Sequence, residues 1–167
     1  EDYRIFNIGS PEFDIHNSLD HLSFTTALSH YDIGFETYAF FCFHPVFNES
    51  DDLATEMQSI CNAVVATEKN YIIIRPNNEP GAEIINAAID KILSHRIVAF
   101  PSLRFEYFSL LLRHAQLFIG NSSAGVREAP FFGVQTINIG SRQRNRSKAP
   151  SIFNLLKVTE VGLKQTI

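Results

Sequence analysis

Short apolar runs recur along the chain, separated by segments in which apolar residues fall at helical spacing. The runs are continuous rather than alternating and are rich in β-branched and aromatic residues, which is typical of strands covered on both faces. The predicted strands are residues 5–8, 38–43, 71–75, 97–100, 117–119 and 136–139, with 152–158 as a weaker one.

The intervening segments have the periodicity of amphipathic helices. In residues 51–67, Leu53, Met57 and Ile60 share one face behind the cap-like residues 50–52. The predicted helices are residues 51–67, 81–93, 105–114 and 124–132, and another begins near residue 161. Because strand and helix alternate, the pattern predicts an α/β fold with a doubly wound, Rossmann-like parallel sheet. The 167 residues fit one domain.

Polar loops follow four of the predicted strands. The carboxyl ends of parallel strands share one edge of the sheet, where such folds bind their ligands, so we expect these loops to meet. The loops are residues 44–46 (HPV), 76–81 (PNNEPG), 120–123 (GNSS) and 140–143 (GSRQ).

Composition narrows the class of partner. The net charge of −4 gives no general positive field, so we expect neither nucleic acid nor a membrane as partner. No apolar run is long enough to span a bilayer, and the chain start does not resemble a signal peptide. We predict a cytoplasmic protein in which Cys42 and Cys61 are buried, reduced thiols. The absence of an initiator Met indicates a fragment or a processed product. No residue spacing predicts a metal or another cofactor.

The GNSS loop opens a predicted helix and has the features of an anion site. Ser122 or Ser123 can cap the helix, and the small residues up to Gly125 let a phosphate approach the backbone N–H groups. Taken alone, the same residues fit a simple cap, with Gly125 in a packing role. Glu128 can accept hydrogen bonds from vicinal hydroxyls such as those of a ribose, so the combination favours a nucleoside diphosphate.

Three further residues are expected at the same edge. Arg142 can hold phosphate oxygens with a fork geometry that Lys lacks. His44 can donate to a phosphate or a leaving oxygen, or act as an acid near neutral pH. Asn77 lies in a turn that can hold the base or the ribose. Each has a plainer alternative: a solvated charge, a strand-end histidine without a ligand, and an asparagine that only forms the turn.

Long, ordered motifs give the chain a family resemblance. The segment GNSSAGVREAPFFGVQTINIGSRQRNR, with FHPV and RPNNEPG before it and NIGSPEFD near the start, resembles the carboxy-terminal half of the hydrolysing UDP-N-acetylglucosamine 2-epimerases of sialic acid biosynthesis. The resemblance covers nearly the whole chain. It implies the carboxy-terminal domain of a glycosyltransferase-B-like architecture, in which UDP-N-acetylglucosamine and water give N-acetylmannosamine and UDP by elimination and then hydration.

The resemblance also implies roles for single residues. By motif, His44 matches the family histidine near the diphosphate, a catalytic residue. The residues that would bind UDP are Asn77, Ser122, Ser123, Gly125, Glu128 and Arg142. Phe47 and Asn48 depart from the family, where small hydroxyl residues are common. The Arg-rich and DSGG motifs of the non-hydrolysing relatives are not in the sequence, which favours the hydrolysing branch.

The domain organisation and partners follow from the same resemblance. Residues 1–167 are predicted to form a single UDP-binding domain, whose amino-terminal partner domain is absent from the chain and carries the proton-transferring carboxylates. The chain alone would then be inactive, and the full-length protein would form a homodimer. Two alternatives stay open: a UDP-sugar glycosyltransferase of the same architecture, and a non-catalytic module that binds nucleotide sugars.

Overall fold

A six-stranded parallel sheet forms the centre of the protein, seen in a computed structural model that describes residues 4–19, 22–46 and 52–167. The strand order is β3-β2-β1-β4-β5-β6, so the chain winds outward from β1 in one direction and from β4 in the other. The strands are β1 (Ala39–Cys42), β2 (Tyr71–Ile74), β3 (Ile97–Phe100), β4 (Leu117–Gly120), β5 (Gln135–Ile139) and β6 (Ile152–Leu155).

Helices cover both faces of this sheet. They are α1 (Glu12–Asn17), α2 (Phe24–His30), α3 (Leu53–Ala66), α4 (Ala82–Asp90), α5 (Phe105–His114), α6 (Glu128–Phe131) and α7 (Glu160–Thr166), with a 3₁₀ turn at Ser123–Gly125. The doubly wound parallel fold predicted from the sequence is thereby confirmed. None of the helices in the described part of the chain is long and apolar enough to cross a membrane.

The side chains of successive residues of the central strand β1 point alternately into two separate hydrophobic cores. Phe41 points to the core formed with α3, α4 and α7, which includes Ile60 and Ile85. Phe40 points to the core formed with α2 and α5, which includes Leu111 and Phe118. All six side chains are completely buried. Burial on both faces explains why the strands have continuous apolar sequences.

The predicted strand at residues 5–8 is wrong. These residues belong to no strand among the described residues, and the side chains of Ile5, Phe6 and Ile8 are 76–80% exposed. Apolar sequence alone cannot supply the neighbouring strand that a ladder requires. The chain instead leads into α1, which the sequence pattern did not predict, and α2 was missed as well.

The predicted helix at residues 124–132 is divided. The Ser123–Gly125 turn ends, and α6 begins only at Glu128. Pro130 has no N–H for a bond to residue 126, so a continuous helix would lose that bond, whereas a restart places Pro130 in a first turn. Asp52 caps α3 by accepting from Thr55 N–H, as the predicted cap requires, while residues 50 and 51 of that cap lie outside the described residues.

Candidate functional site

A cavity of about 320 Å³ opens at the carboxyl ends of the strands, next to the point where β1 and β4 lie side by side. In doubly wound sheets this reversal of strand order leaves a crevice in which ligands bind. The loops after β1 to β5 all contribute to its lining, together with strand residues and one residue of α5. Five of the seven predicted site residues line it: His44, Asn77, Ser122, Ser123 and Arg142.

His44 is a buried imidazole at this cavity and can donate or accept a hydrogen bond. Its Nε2 lies 3.4 Å from Sγ of Cys42, and its Nδ1 has no hydrogen-bond partner among the described residues. Burial, reinforced by the positive charge of Arg142, lowers the pKa of His44, and Glu79 opposes the shift only in part. Burial also raises the pKa of Cys42 to about 12, so its thiol stays protonated. Negative charge from an anion bound in the cavity would raise the pKa of His44, so its imidazole would be protonated more readily.

The serines stand on a shorter element than predicted. Ser122 caps the 3₁₀ turn with its side chain, 3.4 Å from the N–H of Ala124, and Ser123 begins the turn. Three residues of 3₁₀ helix carry little macrodipole. Binding of an anion here would therefore rest on the serine hydroxyls and individual N–H groups rather than on a helix dipole.

Arg142 reaches the cavity from the loop after β5. Its Nη1 donates to the backbone carbonyl of Asn121 at 3.2 Å, and its Nη2 lies 3.8 Å from Oε1 of Glu79. These contacts hold the guanidinium while its side chain stays 30% exposed. Arg142 thus keeps donors available for a ligand, and Asn77 lines the cavity from the same loop as Glu79.

Gly125 and Glu128 do not line the cavity. The carbonyl of buried Gly125 accepts from the hydroxyl of Thr136 at 2.6 Å, and a Cβ on Gly125 would lie 2.7 Å from the ring of Phe118. The structure therefore gives this glycine a packing role. Glu128 has a buried Oε2 without a partner among the described residues, and burial raises its pKa.

Gly125→Ala is expected to destabilise the protein by about 2 kcal/mol, the usual cost of overpacking a core. The reason is that Phe118 lies in the sheet and is completely buried, so it cannot yield. Urea denaturation measures the change. Gly34→Ala is the control, because nothing lies within 4 Å of a Cβ added there, and equal stabilities of the two variants would contradict the packing role.

One part of the cavity wall was not predicted from the sequence. Pro101, Ser102 and Leu103 follow β3, and Phe108 of α5 stands beside them. The strand at 97–100 was predicted with its observed bounds, and the rule that located the other loops applies equally to this one. The loop was overlooked because it lacks the charged and amide side chains that marked the rest.

The described residues contain no group of three or more His, Cys, Asp or Glu side chains that could hold a metal ion. Cys42 and Cys61 are both free and buried, as predicted. The positions of Phe47 and Asn48, where the sequence departs from the resembling family, lie outside the described residues.

Fold and site together define a doubly wound α/β domain with a cationic, hydroxyl-lined cavity at the reversal of strand order. The chain belongs to the UDP-N-acetylglucosamine 2-epimerase family, whose model matches residues 1–161. A UDP-N-acetylglucosamine 2-epimerase of Neisseria meningitidis serogroup B is 41% identical over 90% of this chain and 40% of that protein. A hydrolysing UDP-N,N'-diacetylbacillosamine 2-epimerase of Legionella pneumophila is 28% identical over 90% of this chain and 41% of that protein. The chain thus spans about two fifths of these curated relatives.

Solved structures agree on the fold. The N. meningitidis UDP-GlcNAc 2-epimerase bound to UDP-GlcNAc matches with a TM-score of 0.65 at 10% identity, over 85% of this chain and 39% of that chain. The C-terminal domain of a group 1 glycosyl transferase from Francisella tularensis matches with a TM-score of 0.59 at 9% identity, over 86% of this chain and 80% of that chain. The domain has the Rossmann-like fold of the carboxy-terminal half of glycosyltransferase-B-type proteins.

Proposed function

We propose that this chain is the UDP-binding domain of a hydrolysing 2-epimerase that converts UDP-N-acetylglucosamine and water to N-acetylmannosamine and UDP. The observation that carries the proposal is the convergence of His44, Arg142 and the Ser122–Ser123 turn on one cavity at the strand ends. A buried imidazole, a guanidinium and two hydroxyls form a donor-rich surface with the charge that a diphosphate requires.

Different residues at and beside the cavity suit different parts of a nucleotide. The apolar wall made by Leu103 and Phe108 suits the faces of a base, while Asn77 offers an amide at the rim. Glu128 does not line the cavity, but its buried Oε2 has no hydrogen-bond partner among the described residues, so we assign the ribose to this side chain beside the cavity. Two vicinal hydroxyls would supply the missing donors.

In the proposed reaction, this domain would stabilise UDP as it leaves the sugar. Elimination of UDP from the sugar leaves negative charge on the departing diphosphate, and Arg142 and the serine hydroxyls would stabilise that charge. His44 would donate a hydrogen bond or a proton to the leaving oxygen. The carboxylates that move protons on the sugar ring would come from an amino-terminal domain, and the full-length protein would act as a homodimer.

Several features of the relatives support the hydrolysing type. The Legionella relative is a hydrolysing 2-epimerase, and so is a Campylobacter jejuni GDP/UDP-N,N'-diacetylbacillosamine 2-epimerase that is 27% identical over 92% of this chain. A Polysialic acid biosynthesis protein of Escherichia coli, 28% identical over 90% of this chain, supports a role in sialic acid synthesis. The two buried free thiols are in keeping with the cytoplasmic location expected from the sequence.

The decisive experiment assays the full-length protein with UDP-N-acetylglucosamine in H₂¹⁸O and separates the products. Hydrolysing epimerisation yields free N-acetylmannosamine, with ¹⁸O at its anomeric position, and UDP in equal amounts. A product that remains a UDP-sugar would identify the non-hydrolysing reaction instead. Transfer to an added acceptor would identify a glycosyltransferase, and binding of UDP without turnover a non-catalytic module.

Arg142→Lys is expected to weaken UDP binding by about 1.5 kcal/mol, or roughly tenfold, because a point charge cannot replace the guanidinium fork. Titration calorimetry with the full-length protein measures the change, with UMP and ADP as comparison ligands. Arg144→Lys is the matched control: Arg144 is exposed in the same loop and does not line the cavity. Equal weakening by both substitutions would count against a specific role for Arg142.

A further inference from the structure

The side chain of Asn121 joins two walls of the cavity. It is 1% exposed and makes two hydrogen bonds to the backbone of one residue. Its Oδ1 accepts from the N–H of His44 at 2.7 Å, and its Nδ2 donates to the C=O of His44 at 2.8 Å. Both polar atoms of the amide are used, so the side chain has one defined orientation.

This pair of bonds continues the sheet where its backbone ladder stops. The register of β1 and β4 ends at Cys42 and Gly120, and the last backbone bond runs from Asn121 N–H to the Cys42 carbonyl at 3.1 Å. His44 lies beyond the end of β1. The side-chain amide of Asn121 takes the place of a further peptide group and holds the backbone of His44 as a neighbouring strand would.

The backbone carbonyl of Asn121 contacts the opposite wall of the cavity. This carbonyl accepts from Nη1 of Arg142 at 3.2 Å and from Nε2 of Gln143 at 3.1 Å. A single buried residue therefore fixes His44 through its side chain and Arg142 through its main chain.

We propose that Asn121 is a positioning residue that sets the placement of His44 relative to Arg142, so that both engage the same diphosphate. The inference rests on the proposed function of the cavity. Asn121 itself does not line the cavity, so its effect on the ligand would pass through His44.

The test measures UDP affinity of the full-length protein carrying Asn121→Ala or Asn121→Asp. We expect Asn121→Ala to weaken UDP at least tenfold. Asn121→Asp keeps an acceptor for the His44 N–H but turns an oxygen toward the His44 carbonyl, so we expect an intermediate loss. Asn138→Ala is the control, because Asn138 is equally buried, uses its amide for one bond to Asn154 and does not line the cavity.

A double-mutant cycle separates positioning from general destabilisation. In a His44→Gln background, Asn121→Ala is expected to cost less than threefold in UDP affinity, because the residue it positions no longer contributes. Asn138→Ala should lower the Tm and leave UDP affinity within twofold. If Asn121→Ala fails to fold, Asn121→Asp replaces it in the cycle.

Two outcomes would overturn the inference, and they differ in what else they remove. A folded Asn121 variant that binds UDP within twofold of the wild type, or weakens it equally in both backgrounds, refutes the positioning role and leaves the proposed function standing. A wild-type protein that does not bind UDP removes the proposed function and this inference with it.

Discussion

Gly120→Ala is expected to destabilise the protein by roughly 4 kcal/mol, a size reserved for severe steric or cavity defects. Gly120 ends β4 with φ of +134°, a backbone conformation that side chains rarely adopt. A Cβ there would lie 1.9 Å from the carbonyl oxygen of Cys42 and 2.7 Å from its carbonyl carbon. β1 cannot retreat, because it is hydrogen-bonded between β2 and β4 with both faces buried.

The substitution would also disturb the cavity. The conformation of Gly120 lets the chain turn so that the next residue bonds to Cys42 through its N–H and to His44 through its side chain. We expect any folded fraction of Gly120→Ala to lose UDP binding as well.

Gly133→Ala is the matched control for backbone strain. Its φ of +74° is also left-handed, but nothing lies within 4 Å of an added Cβ, so only the conformational cost of about 1 to 2 kcal/mol applies. Urea denaturation of both variants gives the comparison. A loss for Gly120→Ala no greater than that for Gly133→Ala would mean that the close approach to Cys42 relaxes at little cost.

The sequence predicts the fold well where one local pattern decides the structure. Residues 97–100 and 105–114 were predicted with their observed bounds, since buried strands and amphipathic helices each have their own periodicity. The pattern fails where structure depends on a neighbour or on one bond. Residues 5–8 have the sequence of a strand and no strand beside them, and Pro130 divides a helix whose apolar spacing is otherwise unbroken.

The site was predictable to the extent that it follows from topology. Parallel strands end at one edge, so His44, Asn77 and Arg142 meet although they are distant in sequence. The contribution of Asn121 was not predictable, because an asparagine in a turn usually bonds to its own backbone. Its bonds to His44 depend on the register of β1 and β4, which only the three-dimensional structure supplies.

Glu128→Gln is expected to stabilise the ligand-free protein by up to about 1 kcal/mol at neutral pH, the lower range for a buried polar group without a partner. Burial raises the pKa of Glu128 above its ordinary value of 4.5, although its own backbone N–H and Arg127 oppose the shift. The folded state therefore keeps the proton to a higher pH than the unfolded state. The stability this gives is complete below pH 4.5 and is lost as the pH rises through the folded-state pKa.

The pH dependence of unfolding tests this directly. Glutamine does not titrate, so the Tm advantage of Glu128→Gln should be larger at pH 8 than at pH 5. An advantage that is constant with pH would show that the substitution acts through packing, and a lower Tm at pH 8 would contradict an unfavourable buried charge at Glu128.

UDP binding should respond in the opposite direction. With the ribose hydroxyls donating to it, the carboxylate gains the partners it lacks, so we expect Glu128→Ala to weaken UDP by roughly 1.5 to 3 kcal/mol, about 10- to 150-fold. Glu128→Gln should fall between, because its neutral oxygen is a weaker acceptor.

Calorimetry with UDP and with 2'-deoxy-UDP separates the contribution of the hydroxyl from the rest of the nucleotide: the deoxy ligand should bind weakly to the wild type and lose little more in the variants. A binding residue can lower the stability of the ligand-free protein and still raise its affinity for the ligand. Equal UDP affinity in wild type and Glu128→Ala would leave Glu128 without a role in the nucleotide site.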